Sequence, residues 1–416
     1  MFKKLFTQIY NERISNIALL LELLVVSVVL WFVVDALYVR YAIYSKPMGI
    51  DIEHTYSIKL GYIEPGVVGY HEYKDDVKER TEEVGEIFNR IHRRPEVESA
   101  AIMIGNAVPY CLGMQTTSLV YDSLHVNLRS IIAEPEYFKV FRINGSRGET
   151  PEKMTEIMDH SFLMASDNAL DKYGMDITSM IGKDGFSVFG DEKTYTLGGT
   201  FSPIRMNEYS DLNDRYSHSV IVNYQKATIW GSNDPIVVRV KEKMDDNFIE
   251  NLRADAENLR VGNIYISDVR SIKDMRSKAL REKNHETMLY LLGVTFLLLN
   301  IFLGLLGIFW FRTQQRRQEI ALHIVNGASR RDVMMRLMGE GLYLMAIVTP
   351  VAMIIDFNIA YSELNAVYQG TTLETGRFLI CAAISALSIL VMMFIGICIP
   401  ARKAMKIEPA EALHGE

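Results

Sequence analysis

The sequence has few cysteines, and they follow no pattern of a metal site or a disulfide framework. Only three occur among 416 residues, and two of them, Cys381 and Cys398, lie in one apolar stretch. The third, Cys111, stands alone in the charged block between the apolar ends of the chain, so neither a CxxC zinc spacing nor an internal disulfide network is indicated. Cysteine usage therefore does not indicate the redox compartment.

Patterns for catalytic and nucleotide chemistry are also absent. There is no GxxxxGK(S/T) phosphate loop and no HExxH zinc motif, and the nine histidines are scattered. Residues 185–190, GFSVFG, resemble a nucleophile elbow around Ser187 but are one residue too long, so a β-hairpin is the preferred interpretation. The net charge of -7 gives no reason to expect a nucleic-acid partner. We expect a non-enzymatic chain with no catalytic residue, cofactor or metal.

Long apolar runs, by contrast, are prominent at both ends of the chain. A bilayer core of ~30 Å requires about 20 apolar residues in a helix. Four stretches qualify, namely residues 17–38, 287–311, 337–355 and 378–400. The first follows a basic start, as a signal peptide does, but no small-x-small cleavage site follows it, which favours an uncleaved anchor. Glu22 within it has either an intramembrane function or a place near the aqueous edge, and the edge position is favoured.

Basic residues indicate the orientation of these four spans. The N-terminal segment, the loop between the second and third spans and the C-terminal tail are rich in Lys and Arg. The loop between the third and fourth spans has Arg377 as its only basic residue. Because cytoplasmic loops carry the excess of Lys and Arg, we expect both termini in the cytoplasm. The block from about residue 40 to residue 286 then lies outside the cytoplasm.

The outer block contains two β-α-β patterns. The first reads strand 55–63, helix 75–92 and strand 97–104. The second reads strand 235–240, helix 245–259 and strand 264–269. Two such halves predict a split α/β sandwich, interrupted by an insertion at about 109–224. Short elements are predicted in the insertion, namely strands 118–121, 128–133, 195–200 and 218–222 and helices 135–141 and 167–173.

A polar stretch joins the outer block to the second span. Residues 271–286, SIKDMRSKALREKNHE, lack Pro and Gly and favour a continuous helix. At 1.5 Å per residue, such a helix is ~24 Å long. It either carries motion between the membrane and the outer block or only packs there, and the sequence leaves both alternatives open.

Two cytoplasmic stretches resemble the FtsX-like permease family, whose members include the MacB and LolC/LolE types. The first is residues 316–333, RRQEIALHIVNGASRRDV, and the second is residues 400–413, PARKAMKIEPAEAL. The order of one span, a large outer domain and three spans matches this family of ABC transporter permeases as well. The two β-α-β halves are similar to the porter-like periplasmic core of MacB. The resemblance thus covers nearly the whole chain.

The resemblance implies the regions of the chain and the roles of individual residues. Four regions follow, namely residues 1–39 with the first span, 40–270 as the periplasmic core, 271–286 as a helical stalk and 287–416 as the FtsX-like permease domain. The implied coupling residues are Arg317, Glu319, Ile320, Leu322, Ile324, Gly327, Ala328, Ser329, Arg330 and Asp332. The implied tail motif is Pro400, Arg402, Lys403, Pro409, Glu411, Ala412 and Leu413.

The residues of the first stretch fit a coupling helix. Gly327 is suited to end a helix, Ser329 to cap the next one and Asp332 to favour its N-terminal dipole. A short amphipathic helix at the membrane surface can enter a groove on a cytoplasmic partner. The alternative is a basic helix that lies on anionic lipid. In the fourth span, Ala382 and Ala386 permit close helix packing, either within the chain or in a dimer.

The leading hypothesis is therefore a permease subunit in the bacterial inner membrane. The resemblance implies as partners a separate cytoplasmic P-loop ABC ATPase and a second permease copy, homo- or heterodimeric, in membrane lipid. A periplasmic adaptor remains an open alternative. ATP hydrolysis would move the outer domain, for export or extraction of antimicrobials, peptides or lipoproteins. The alternative function is a membrane-anchored sensor or receptor, and a hydrolase on the outer side is a third hypothesis that has no evident nucleophile.

Overall fold

The computed structural model describes most of the chain and divides it into two compact units. It describes residues 13–104, 107–111, 113, 115–190, 192–212, 217–226, 234–315, 318, 322, 324–365 and 374–404. One unit, the membrane domain, comprises Met1–Ala42 and His285–Glu416. The other, the outer domain, comprises Ile43–Asn284.

Four helices in the described part of the chain are long and apolar enough to cross a membrane. In chain order, the first to fourth spans are helices Arg13–Tyr44, Arg281–Gln315, Arg330–Tyr361 and Thr375–Ala404. Each helix is longer than the apolar run that predicted it, because the flanking polar residues continue the same helix. The prediction of four transmembrane helices is confirmed. Glu22 is half-buried in the first span.

Close packing of the third and fourth spans depends on Gly341. A Cβ atom at this position would lie 2.4 Å from the Sδ atom of Met393, so any larger residue would require the Met393 side chain to move, and glycine favours the close approach of the two helices. Around this contact, the core includes Leu23 of the first span and Leu344 of the third. Ala382 packs within the chain, against the cluster that contains Trp31.

The first sheet of the outer domain has the split β-α-β topology that the sequence predicts. Its strands are β1 (Thr55–Tyr62), β2 (Val97–Ile102), β9 (Ile236–Val240) and β10 (Ile264–Ser271), in the spatial order β10-β1-β9-β2. All three neighbouring pairs are antiparallel, so the two strands of each half are parallel and separated by a strand of the other half. Helix α1 (Asp76–His92) begins after Asp75, whose side chain caps it, and buries Ile87 and Ile91 against the sheet.

The second sheet is built from the chain between β2 and β9. Its strands are β3 (Thr116–Tyr121), β4 (Leu124–Ala133), β5 (Leu163–Ser166), β6 (Phe186–Ser187), β7 (Leu197–Phe201) and β8 (Ser219–Asn223). Their spatial order is β6-β3-β4-β8-β5-β7, with β4–β8 and β5–β7 parallel. One hydrophobic cluster contains residues of both sheets, such as Ile102 and Leu128. The insertion therefore shares its core with the β-α-β halves.

The remaining helices of the outer domain are short. They are α2 (Tyr137–Val140), α3 (Pro151–His160), α4 (Phe248–Ala254), α5 (Ala256–Leu259) and α6 (Ile272–Ala279). The helix predicted over 245–259 is divided, because Asn247 has a left-handed backbone and Asp255 leaves the helical region. The stalk helix is likewise not continuous, since a turn at Leu280 separates α6 from the second span. The helix predicted over 167–173 is only a 3-10 turn, Asp171–Tyr173.

Candidate functional site

The segment before the third span ends in a glycine-capped helical turn. Leu322, Ile324 and Val325 are helical. The N–H of Asn326 donates to the carbonyl of Leu322 at 3.1 Å, and that of Gly327 donates to Ile324 at 3.0 Å. Gly327 has φ +89°, which L side chains rarely adopt, so glycine at the C-terminal position is required by the backbone.

Ser329 begins the third span with a reciprocal cap. Its Oγ accepts the backbone N–H of Asp332 at 3.2 Å, and the Asp332 carboxylate accepts the N–H of Ser329 at 3.0 Å. This capping box satisfies two backbone donors at the helix start. Only Gly327 and Ala328 separate the turn from this cap, so the orientation of the turn relative to the third span is restricted.

The apolar residues of the turn fall into two sets. Ile324 and Ala328 pack against Val333 of the third span and the fully buried Ala401 of the fourth. Leu322 and Val325, three residues apart, are instead 52% and 57% exposed. Residues three apart share a helix face, so the turn is held to the membrane domain by one face and presents two large apolar side chains on another.

The structure thus places the predicted coupling residues in different environments. Leu322 lies on the exposed face, whereas Ile324 contacts the chain's own membrane domain. Val325 was not among the predicted residues, and its spacing of three from Leu322 is the signal that identifies it. The exposed Arg330 lies in the first turn of the third span.

Part of both predicted sets lies outside the described residues. In the coupling set, these are Arg317, Glu319 and Ile320. In the tail motif, Pro400 and Arg402 belong to the fourth helix, and the backbone of Lys403 continues it. The tail residues that lie outside the described part are Pro409, Glu411, Ala412 and Leu413.

Comparison with protein families identifies the C-terminal part of the chain. Residues 291–409 match the model of the FtsX-like permease C-terminal domain. The chain therefore contains an FtsX-like permease C-terminal domain. The match includes the turn, most of the second span, the third and fourth spans and the tail as far as Pro409. The resemblance found in residues 316–333 and in most of residues 400–413 is thus confirmed at the level of the family.

Solved structures of outer domains are similar to part of this chain. The periplasmic region of MacB from Actinobacillus actinomycetemcomitans is 14% identical, covers 57% of this chain and 97% of that one, and has a TM-score of 0.34. The extracellular domain of the noncanonic ABC-type transporter YknZ from Gram-positive bacteria is 12% identical, covers 51% of this chain and 100% of that one, and has a TM-score of 0.31. No curated protein matches the chain.

A buried ion pair joins the spans of the membrane domain at the opposite end from the turn. Asp35 of the first span is 1% exposed and accepts two hydrogen bonds from Arg377 of the fourth span, at 2.7 Å from Nε and 2.5 Å from Nη2. The Nδ2 atom of Asn365, which follows the third span, donates to the same carboxylate at 2.7 Å. Bidentate Arg–carboxylate pairs are strong and geometrically specific. With Asn365, the Asp35–Arg377 pair links the first span, the fourth span and the segment that follows the third span.

Asp35 was missed by sequence reasoning, although the sequence contains a signal for it. It is a carboxylate inside an apolar span, and Arg377 is the only basic residue of its loop. A charge that is buried in the membrane needs a partner of opposite sign, so an ion pair between Asp35 and Arg377 could have been predicted from the sequence.

In the outer domain, a buried arginine holds the chain that leaves the first span. Arg205 is 1% exposed. Its guanidinium donates to the carbonyls of Ile43 at 2.7 Å and of Lys46, and also to Ser210 at 2.8 Å and Glu208 at 2.7 Å. Burial lowers the pKa of Arg205. These carbonyl contacts replace the hydration that the cation loses.

The same loop also holds the chain that leads into the second span. The Glu208 carboxylate pairs with Nε of Arg276 in α6 at 2.5 Å and accepts the hydroxyl of Tyr110 at 3.0 Å. The Tyr209 hydroxyl donates to Asn284 at 2.5 Å. We call loop 205–211 the collar, because it contacts both chain connections that lead from the outer domain to the membrane domain.

Replacing Arg205 with alanine is expected to destabilise the chain by about 3 kcal/mol or more, since four carbonyl groups lose a charged donor. Thermal unfolding of the purified full chain measures this effect. The control is Arg253→Ala, because the Arg253 side chain is 61% exposed and its loss is expected to cost about 0.5 kcal/mol or less. Equal stability of the two variants would contradict the role of the collar.

Proposed function

We propose that this FtsX-like permease couples ATP hydrolysis by a separate cytoplasmic ATPase to movement of its outer domain. The observation that carries the proposal is the pair of exposed apolar side chains, Leu322 and Val325, on a turn that the membrane domain holds by its other face. A partner with an apolar groove can bind such a helix face. The proposal places this turn in the cytoplasm.

The position of the turn supports this orientation. Ile324 packs near Ala401 at the C-terminal end of the fourth span. Asp35, close to the end of the first span that leads to the outer domain, pairs instead with Arg377 at the N-terminal end of the fourth span. The turn and the C-terminal end of the fourth span, with the exposed Arg402, thus share one end of the helical bundle, in agreement with the positive-inside rule.

The collar supports transmission of movement to the outer domain. Arg205 contacts the carbonyl of Ile43, and Glu208 contacts Arg276. A displacement of either connecting segment is therefore resisted by strong polar contacts within the outer domain. The turn at Leu280 does not remove this link, because the N–H of Asn284 donates across it to the carbonyl of Leu280 at 2.7 Å.

A second permease copy is part of the proposal. In the most apolar stretch of the second span, only 6% of the residues are buried within the chain, against 44% in the first span. The described part of the second span thus leaves most of its surface for lipid or another helix. A dimer with two ATPase subunits is the arrangement we propose, with antimicrobials, peptides or lipoproteins as substrates.

Purification of the tagged chain from its native membrane tests the proposal. We expect a P-loop ATPase to purify with it in a fixed ratio. We also expect the rate of ATP hydrolysis by the complex to differ from that of the isolated ATPase. A chain that carries no ATPase under conditions that preserve its fold would support the alternative function, a membrane-anchored sensor.

A further inference from the structure

The outer domain contains a cavity where the first sheet meets the second. Its volume is about 330 Å³, within the range of small-molecule sites. Helix α1 forms one wall with Val77, Val84 and Gly85, and Ile102 ends β2 beside them. The wall opposite comes from residues that follow strands of the second sheet, including Glu134 after β4.

A glycine in the middle of α1 opens this cavity. Gly85 lies in the helix interior, where glycine is destabilising relative to alanine. A Cβ atom at this position would meet nothing within 4 Å, so no neighbouring atom requires glycine there. The absence of a side chain at Gly85 instead enlarges the cavity. This space is a reason for a glycine at a helix position where it is otherwise unfavourable.

The cavity carries a buried carboxylate without a cationic partner. Glu134 is 9% exposed and accepts hydrogen bonds from the N–H of Ile102 at 2.8 Å and from Nε2 of Gln225 at 3.3 Å. Among the described residues, no Lys, Arg or His nitrogen lies within 4 Å of it. Arg80, which also lines the cavity, pairs instead with Asp76 at 2.6 Å. A carboxylate with two neutral donors retains room for a charged donor.

A second hollow lies beside the first, and most of its charged lining residues are acidic. Its volume is about 430 Å³, and it shares Glu134 and Gln225 with the first cavity. Its acidic lining residues are Glu134, Glu136, Glu152, Glu156 and Asp159, against Lys139 and His92 as basic ones. The two hollows together thus present an apolar end and an acidic end.

We propose that this double cavity binds a cationic amphiphile, with its apolar part beside Gly85 and its amine at Glu134. The ligand would contact α1 of the β-α-β core and the ends of the inserted sheet together. The site goes beyond the proposed coupling to ATP, and its binding is measured without an ATPase. Failure of one proposal is therefore distinguishable from failure of the other.

Binding of dansylcadaverine to the full chain in lipid nanodiscs tests the site, with N-pentyl dansylamide as a neutral probe of similar length. We expect saturable binding of the amine, weakened about tenfold or more by Glu134→Gln because a charge-assisted bond is lost. The neutral probe is expected to show less than a twofold change. The matched control is Glu250→Gln, at an exposed carboxylate of α4, which is expected to bind as the wild type does.

Two substitutions of Gly85 distinguish a loss of binding caused by a blocked cavity from one caused by a misfolded chain. Both Gly85→Ala and Gly85→Leu are expected to raise the thermal stability of the chain, since each removes a helical glycine. Only Gly85→Leu fills the cavity, so we expect it to abolish amine binding while Gly85→Ala retains it. The proposal would be overturned by wild-type affinity in Gly85→Leu, by equal affinity for both probes, or by the absence of saturable binding to the wild type.

Discussion

Replacing Leu322 and Val325 together with aspartate is expected to weaken ATPase binding by on the order of 100-fold, which corresponds to about 2.7 kcal/mol. The reason is that burial of a large apolar side chain contributes ~1.5–3 kcal/mol, and both side chains are more than half exposed in the isolated chain. The fold of the chain should be unchanged, because neither side chain belongs to its core. The measurement is titration of the co-purified ATPase onto the variant chain, together with ATP hydrolysis by the complex.

The matched control for this variant lies in the outer domain. Val67 and Val68 are 55% and 99% exposed, and their double replacement with aspartate adds the same charge to the same chain. We expect ATPase affinity and hydrolysis to stay at the wild-type level in this control. Equal affinities of wild type and the Leu322/Val325 variant would show that the exposed face of the turn is not the coupling surface.

Replacing Asp35 with asparagine is expected to destabilise the chain by ~3–5 kcal/mol, because it leaves the Arg377 guanidinium buried without its counter-ion. Asp35 and Arg377 are 1% and 9% exposed, so water gives little compensation. Thermal unfolding of the purified chain measures the loss. The double variant Asp35→Asn, Arg377→Gln removes both charges and is expected to be more stable than the single variant.

An exposed ion pair provides the comparison for Asp35. Lys153 and Glu156 in α3 pair at 2.8 Å, with side chains that are 60% and 67% exposed. Removal of the Glu156 charge is expected to cost at most about 1 kcal/mol. If Asp35→Asn were as mild as Glu156→Gln, the buried pair would have no role in holding the spans together.

The sequence predicts well those parts of the fold that depend on local patterns. Helix α1 has its apolar residues at helical spacing and an Asp at its start, and it was predicted within one residue of its bounds. The four spans follow from apolar length alone. By contrast, α3 and β5 were missed. Thr150 caps α3 and Pro151 follows it, a start signal that was not used, and the four residues of β5 are all buried and show no alternation.

Contacts between distant residues were beyond sequence reasoning. Arg205 and Ile43 are 162 positions apart, and nothing in the local sequence distinguishes this arginine from the exposed ones. For the candidate site, the sequence predicted the cap and the glycine turn, because both depend on neighbouring residues. It did not separate Ile324 from Leu322, since the direction of each side chain depends on packing against Ala401. The boundaries of the regions and the roles of the coupling residues remain predictions.

The most direct test of the account is the side of the membrane on which the turn lies. The test uses a chain in which serine replaces Cys111 and one cysteine is introduced, at either Val68 or Val325. Both positions are exposed, whereas the remaining Cys381 and Cys398 are buried. We predict that a membrane-impermeant maleimide labels Val68→Cys in intact cells whose outer layers admit it, and labels Val325→Cys only after the cytoplasmic membrane is permeabilised. Labelling of both cysteines from the same side would contradict the proposed coupling of this turn to a cytoplasmic ATPase.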